Sequence, residues 1–306
     1  MATTTATTTG QSGSRVVWGE APSRRKVVGR MGPWQLVRLL AESTLNRVYL
    51  ARPQETPDAP PMYAVKALRR EWWNDTAAVE TLRREALVGG KVSHPHVAPV
   101  LSSQLTRPPF FIVMPRVAGE TLAAKLAEGR QPALPAALWI ARQVAEALAA
   151  IHKAAGMIHA DVKPANVFVS PDGHATLLDL GFCQTSDEAR SWATRPVVGT
   201  PHYMAPEMVT SACTVDRRTD LYSLGVMLYE TLTGERPFEA DDPAELISMH
   251  RQAKPKCLRD ARPGTPKPVA SLVHRLLAKD PLRRPSTPEE VADELARLEI
   301  ASFAER

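Results

Sequence analysis

Two carboxylates, a lysine and an amide lie close together in one short stretch of this chain, in a pattern suited to phosphate chemistry. His159 to Phe168 reads HADVKPANVF and Ala175 to Gly181 reads ATLLDLG, which supplies Asp161, Lys163, Asn166 and Asp179. A carboxylate and an amide oxygen side by side suit Mg²⁺, a hard ion that takes carboxylate and phosphate oxygens and keeps some of its waters. Asp161 can accept a proton from a hydroxyl, and Lys163 can hold the charge of a transferring phosphoryl group.

Local elements must bring these groups together. Val167 to Val169 and Ala175 to Leu178 are β-prone runs joined by Ser170-Pro171-Asp172-Gly173, a turn composition. The hairpin this predicts puts Asn166, entering the first strand, beside Asp179, leaving the second. Asp-x-Lys or Asp-x-Gly alone is common in solvated turns. The combination of D-x-K-P-x-N, a tight hairpin and D-x-G is far more specific, and it resembles the catalytic and metal-binding loops of protein kinases. Lys163-Pro164 is similar to the serine/threonine branch.

That resemblance extends over roughly residues 30 to 300 and is nearest to bacterial eukaryotic-like (Hanks-type) serine/threonine kinases. It implies an α+β, bilobal fold, with a small five-stranded antiparallel sheet lobe and a larger, mainly helical lobe. Trp34 to Glu42, Asn46 to Arg52, Met62 to Leu68, Val97 to Gln104 and Phe110 to Met114 read as the five strands. Lys66, a lone cation among apolar neighbours, matches the V-A-I-K strand, which assigns it to the α- and β-phosphates of ATP. Asn74-Asp75 offers a cap for a helix running to about Gly89. Within it Glu85 is expected to hold Lys66, judged by its distance from His94-Pro95-His96-Val97, with Glu80 as the alternative. Pro115-Arg116-Val117 corresponds to the hinge where adenine docks. Pro115 has no N–H but keeps its carbonyl, Val117 supplies an N–H, and Met114 guards the deeper pocket. The same resemblance implies that Ala41, Ser43, Val48 and Ala64 contribute to the ATP site.

Farther along, an amphipathic helix is expected from Ala133 to Ala155, ending at Gly156. A long irregular segment runs from Gly181 to Glu207, closing on Gly199-Thr200-Pro201 and Ala205-Pro206-Glu207. Thr200 stands where family members contact the catalytic residues and favour Ser or Thr acceptors. His159, Asp220, Glu207 and Arg284 carry structural roles by the same correspondence. Asp220 braces the catalytic loop and Arg284 pairs with Glu207. A last helix is expected from about Pro288 to Ile300.

Composition sets outer bounds. A chain of 306 residues with 44% hydrophobic and 23% charged residues is long enough for a two-lobed core. Residues 1 to 26, rich in Thr, Ser and Gly, read as a disordered tail, leaving a kinase domain at 27–306, its small lobe about 27–117 and its large lobe about 118–300. No uninterrupted apolar run approaches bilayer-spanning length and no secretory signal is visible, so a cytoplasmic location without a membrane segment is expected. Cys183, Cys213 and Cys257 lack metal-ligand spacing. A net charge of +5 without interleaved aromatics in the basic clusters points away from nucleic acid.

Three departures from the family pattern stand out. The loop expected to read G-x-G-x-x-G-x-V is Ala41-Glu42-Ser43-Thr44-Leu45-Asn46-Arg47-Val48, without a glycine. Asn46 tolerates a left-handed conformation and Ser43 offers a hydroxyl in compensation. Ala160 precedes Asp161 where many members carry arginine, and Leu180 replaces the metal-loop phenylalanine. The resulting expectation is an ATP- and Mg²⁺-dependent protein serine/threonine kinase acting on protein substrates. The alternative is a pseudokinase that binds nucleotide or scaffolds with little turnover. Phosphorylation of small molecules is disfavoured by the segment ending at Glu207.

Overall fold

A computed structural model describes residues 27–190, 201–209 and 215–304. The small lobe is a curled antiparallel sheet with one long helix. Its strands are β1 (Gly29–Met31), β2 (Trp34–Glu42), β3 (Asn46–Pro53), β4 (Tyr63–Leu68), β5 (Ser102–Gln104) and β6 (Phe111–Pro115), in the order β1-β2-β3-β4-β6-β5. The sheet therefore has six strands and not the expected five, because Gly29–Met31 pairs with Trp34–Leu36 ahead of the first expected strand.

The strand expected over Val97 to Gln104 is also shorter. Pro99 has no N–H for a ladder, so regular pairing starts only at Ser102. Val97 instead bridges to Leu177 in the large lobe.

Strand alternation sorts β4 into two faces. Val65 and Ala67 pack with Leu36, Ala51, Phe111 and Val113, while Ala64 and Lys66 turn the other way. Helix α1 (Thr76–Lys91) starts at Asp75, whose carboxylate accepts the Ala78 N–H at 2.8 Å. Val79 and Leu82 of this helix join Leu68 and Ile112 under the sheet.

The large lobe is mainly helical. Its first elements are β7 (Glu120–Thr121), α2 (Leu122–Ala127) and α3 (Leu134–Ala155), which ends at Gly156 with φ 68°, a left-handed cap suited to glycine. Strands β8 (Val167–Val169) and β9 (Ala175–Leu177) form the short hairpin, with β7 on its edge. Next come α4 (Ser186–Arg190) and α5 (Arg218–Thr233), then α6 (Pro243–Gln252), α7 (Leu258–Ala261), α8 (Lys267–Leu276) and α9 (Pro288–Ala304). One core unites Leu138, Leu148 and Ile151 of α3 with Leu221 and Leu224 of α5 and Leu295 of α9. By length and composition α3 is apolar enough to cross a membrane, but most of it is buried inside this core.

Candidate active site

Lys66 stands at the centre of the cleft between the lobes. Its Nζ donates to Glu85 Oε2 at 2.6 Å and to Asp179 Oδ1 at 2.8 Å. The helical phase of α1 turns Glu85 inward, where it is 3% exposed. Glu80 lies on the outer face beside Arg83. Burial opposes the charge on Lys66, yet the Asp179 and Glu85 carboxylates outweigh it and hold the ammonium above its ordinary range. Burial lifts the Glu85 carboxyl to about 7, with Asp179 adding to the rise and Lys66 offsetting only part. Burial would also raise Asp179, but the charge and hydrogen bond of Lys66 prevail and hold it below the usual carboxylate range.

Asp179 reaches Lys66 through an uncommon backbone. It sits at φ 64°, ψ 63°, the left-handed region, which Asp tolerates better than most residues. The next turn, Leu180–Phe182, lies against α1. Leu180 is buried in the large-lobe core with Val88 of that helix, so the apolar character of this position is kept. Gly181 passes so close that a Cβ there would lie 2.7 Å from Thr81 Cγ2 and 3.0 Å from the Thr81 carbonyl oxygen.

Below Lys66, the loop from His159 to Asn166 gathers a second set. Lys163 Nζ donates to both Asp161 oxygens, at 2.9 and 2.7 Å. Asn166 Nδ2 donates to Asp161 Oδ2 and to the Asp161 carbonyl, each at 2.8 Å. Burial raises the Asp161 carboxyl above its ordinary value although Lys163 opposes the shift. Asn166 closes a short turn, Pro164–Asn166, and its carbonyl accepts the Leu178 N–H at 2.8 Å, tying the loop to the end of the hairpin.

Asp220, at the start of α5 and fully buried, fixes this loop from beneath. Its oxygens accept the N–H groups of His159 and Ala160 and the Nε2–H of His152, each at 2.8 Å. Burial would raise this carboxyl, but the His152 hydrogen bond and charge hold it below its ordinary range. Those bonds stabilise Ala160 at φ 63°. His159 Nε2 donates to the Leu178 carbonyl at 3.2 Å, and its Nδ1 accepts the Asp161 N–H, also at 3.2 Å. Farther down, Arg284 donates to both Glu207 oxygens at 2.6 and 2.8 Å, and both side chains are almost completely buried. Thr219 adds a hydroxyl donor to Glu207 at 2.9 Å.

The apolar part of the cleft is lined by Val48 and Ala64 above, Phe168 below, and Met114, Pro115 and Val117 at the rear. Ala41 and Ser43 also line it. The Arg116 N–H is engaged by the Met62 carbonyl at 2.8 Å, which ties the segment leaving β6 to the start of β4. Thr200 falls outside the described residues, as do Cys213 and residues 1 to 26.

Two contributors carry no sequence signal. Gln143, buried in α3, accepts the Ala175 N–H at 2.9 Å and donates to the Gly173 carbonyl at 3.1 Å, bracing the hairpin that presents Asn166 and Asp179. Arg84, next to Glu85, donates to the Cys183 carbonyl at 3.0 Å and to both Glu188 oxygens.

Comparison with known proteins agrees with this arrangement. The model of the protein kinase domain matches residues 34–295. The chain is 37% identical to the serine/threonine-protein kinase pkn2 of Myxococcus xanthus, over 89% of this chain and 33% of that protein. It is 33% identical to a probable serine/threonine-protein kinase of Clostridium perfringens, over 89% of this chain and 39% of the relative. It is 34% identical to the serine/threonine-protein kinase PknH of Mycobacterium tuberculosis, over 87% of this chain and 42% of the relative. The chain thus spans between a third and somewhat over two fifths of the length of these relatives. From residue 34 to residue 295, this chain belongs to the protein kinase domain family.

Proposed function

We propose that the chain transfers the γ-phosphoryl group of ATP to serine or threonine hydroxyls of protein substrates, with a divalent cation. The observation that carries this reading is the three-way contact of Lys66 with Glu85 and Asp179, facing an Asp161 already bonded to Lys163 and Asn166. Phosphoryl transfer of this kind depends on positioning and charge stabilisation, so a complete set of these groups is its main requirement. The serine/threonine-protein kinases among the relatives support the same reading.

In this proposal adenine occupies the apolar cleft between Ala64 and Phe168, and Lys66 binds the α- and β-phosphates. Asp161 orients the acceptor hydroxyl and takes its proton, a role that suits a carboxyl whose affinity for protons burial has raised. Lys163 compensates charge on the transferring group. The donor set also fits Mg²⁺. Asn166 spends its Nδ2 on Asp161, which leaves its Oδ1 as an acceptor, and Asp179 is held ionised beside it. Asn166 and Asp179 would hold the ion, which supplies neutralisation of phosphate charge.

The test is incubation of the purified protein with labelled ATP, Mg²⁺ and a generic basic protein substrate, beside the Asp161→Asn variant. Label on serine or threonine with wild type and none with the variant is the expected result. Absence of transfer by wild type, with nucleotide still bound, would replace this reading by that of a nucleotide-binding scaffold.

A further inference from the structure

The loop from Ala41 to Val48, which lines the cleft, has no glycine and is fastened on its outer side. Three consecutive carbonyls at its tip accept from the segment following β4. Ser43 O accepts from Arg69 Nη1 at 3.1 Å, Thr44 O from Trp72 Nε1 at 2.8 Å, and Leu45 O from the Arg69 N–H at 2.8 Å. Arg69 also pairs with Glu42, at the end of β2, at 3.6 Å. The Leu45 side chain adds an apolar hold. It packs with Trp72 and Trp73 against the cluster that contains Ala78, Val79 and Leu82 of α1.

The same segment runs into α1 without slack. Arg70–Trp72 is one tight turn, and the Trp72 carbonyl accepts the Asp75 N–H at 3.1 Å. Asp75 is the residue whose carboxylate caps α1. The indole of Trp72 therefore holds the loop tip while the backbone of the same residue holds the start of the helix that carries Glu85. Each bond at the surface is modest alone. Acting from one short turn, they leave the loop and α1 little freedom to move separately.

We propose that Arg69 and Trp72 are positioning residues that fasten this loop to α1, so that the two move as one body. A ligand held in the cleft against Ala41, Ser43 and Val48 then also favours the position of α1 in which Glu85 meets Lys66. By reciprocity, α1 in that position favours the ligand. The catalytic consequence rests on the phosphotransferase reading, whereas the fastening does not.

Hydrogen exchange followed by mass spectrometry tests this on wild type and on the double variant Arg69→Ala, Trp72→Phe, each free and with adenosine. Phenylalanine keeps a ring in the apolar cluster and removes the indole donor. Adenosine carries no phosphate for Lys66, which removes the route to α1 through the Lys66–Glu85 contact. In wild type, adenosine should slow exchange both in the loop and in the first turns of α1. In the variant it should slow the loop alone, and without ligand the loop should exchange about tenfold faster than in wild type. The Michaelis constant for ATP should rise about fivefold in the variant with turnover within about twofold, the mark of lost uniform binding. Equal loop exchange in the two free proteins would overturn the proposal. So would protection of α1 by adenosine that survives in the variant, or an unchanged Michaelis constant. If the double variant fails to fold, Trp72→Phe alone carries the same comparison. All these outcomes leave the phosphotransferase reading intact. Wild type that binds neither adenosine nor ATP would bring down that reading, and exchange without ligand would still decide the fastening.

Discussion

Arg84 and Glu188 form a two-pronged ion pair, at 2.7 and 2.9 Å, that joins α1 to the short helix α4. The pair lies one residue from Glu85, so α1 cannot swing away from Lys66 without breaking it. Here the segment that follows Asp179 is anchored to α1 by a fixed carboxylate, while Ala160 offers no guanidinium beside Asp161. A half-exposed pair of this kind contributes about 0.2–1 kcal/mol. Arg84→Ala and Glu188→Ala should each reduce turnover by about two- to fivefold. The charge-reversed double variant, Arg84→Glu with Glu188→Arg, should recover most of it. A double-mutant cycle in phosphorylation rate, repeated at high salt where the coupling should shrink, is the check.

Asp161 and Asp179 should separate chemistry from binding. Asp161→Asn removes the proposed proton acceptor, so transfer should stop while ATP affinity stays nearly unchanged. Asp179→Asn removes a proposed metal ligand and one of the two carboxylates on Lys66, so transfer and Mg²⁺-dependent ATP binding should both fall. Transfer assays run beside titrations with and without Mg²⁺ resolve the two effects. Transfer surviving in both variants would sink the site assignment.

Glu85 introduces a pH dependence. Its folded carboxyl is raised from 4.5 to about 7 by burial, so its contribution to stability is present at acid pH and is lost as pH rises from about 4.5 to 7. Asp179 works in the opposite sense, since its lowered value contributes above the unfolded range and is lost on acidification. For function, a protonated Glu85 cannot pair with the Lys66 ammonium as an ion. The ratio of the ATP Kd of Glu85→Gln to that of wild type should therefore be largest above about pH 7 and shrink towards unity below it. Comparing the two proteins cancels titration of the nucleotide itself. A ratio constant across the range would remove Glu85 as the titrating group.

Gly181 and Gly90 offer a matched pair of substitutions. A Cβ at Gly181 meets the side chain and backbone of Thr81, so Gly181→Ala must push the turn after Asp179 away from α1. We expect destabilisation of about 1–3 kcal/mol, as for overpacking. The displaced Asp179 should in addition lower turnover about tenfold or more. At Gly90, on the exposed face of α1, a Cβ meets nothing within 4 Å. Gly90→Ala should stabilise by about 0.5–1 kcal/mol and leave turnover unchanged. Thermal melts with kinetics on both proteins decide this.

The buried pair of Arg284 and Glu207 should behave as structure. Arg284→Ala leaves a carboxylate without its partner in the core and should cost about 3–5 kcal/mol. The loss should appear in the melting temperature, and the Kd for ATP of the protein that stays folded should be close to that of wild type.

The sequence by itself determined the family and the two-lobed α+β class, and it singled out Lys66, Asp161, Lys163, Asn166 and Asp179 as candidates. Most of these were legible because their geometry is local. A strand, a tight turn and a short loop bring Asp161, Lys163, Asn166 and Asp179 near one another with few intervening residues, whereas Lys66, 113 residues from Asp179, was legible only through the resemblance of its strand. The distance to His94-Pro95-His96-Val97 favoured Glu85 over Glu80, and the structure turns Glu85 inward. Pro99 was equally readable as a ladder breaker, but the apolar run around it suggested a longer strand than Ser102–Gln104. Only the tertiary structure decided the rest. It paired Arg84 with Glu188, set Gln143 beneath the hairpin, and strapped the glycine-free loop with Arg69 and Trp72. Each of these is a hydrogen bond between segments far apart or differently oriented along the chain. Such bonds follow no periodicity, and they form only once core packing has brought the two segments within about 3 Å of each other.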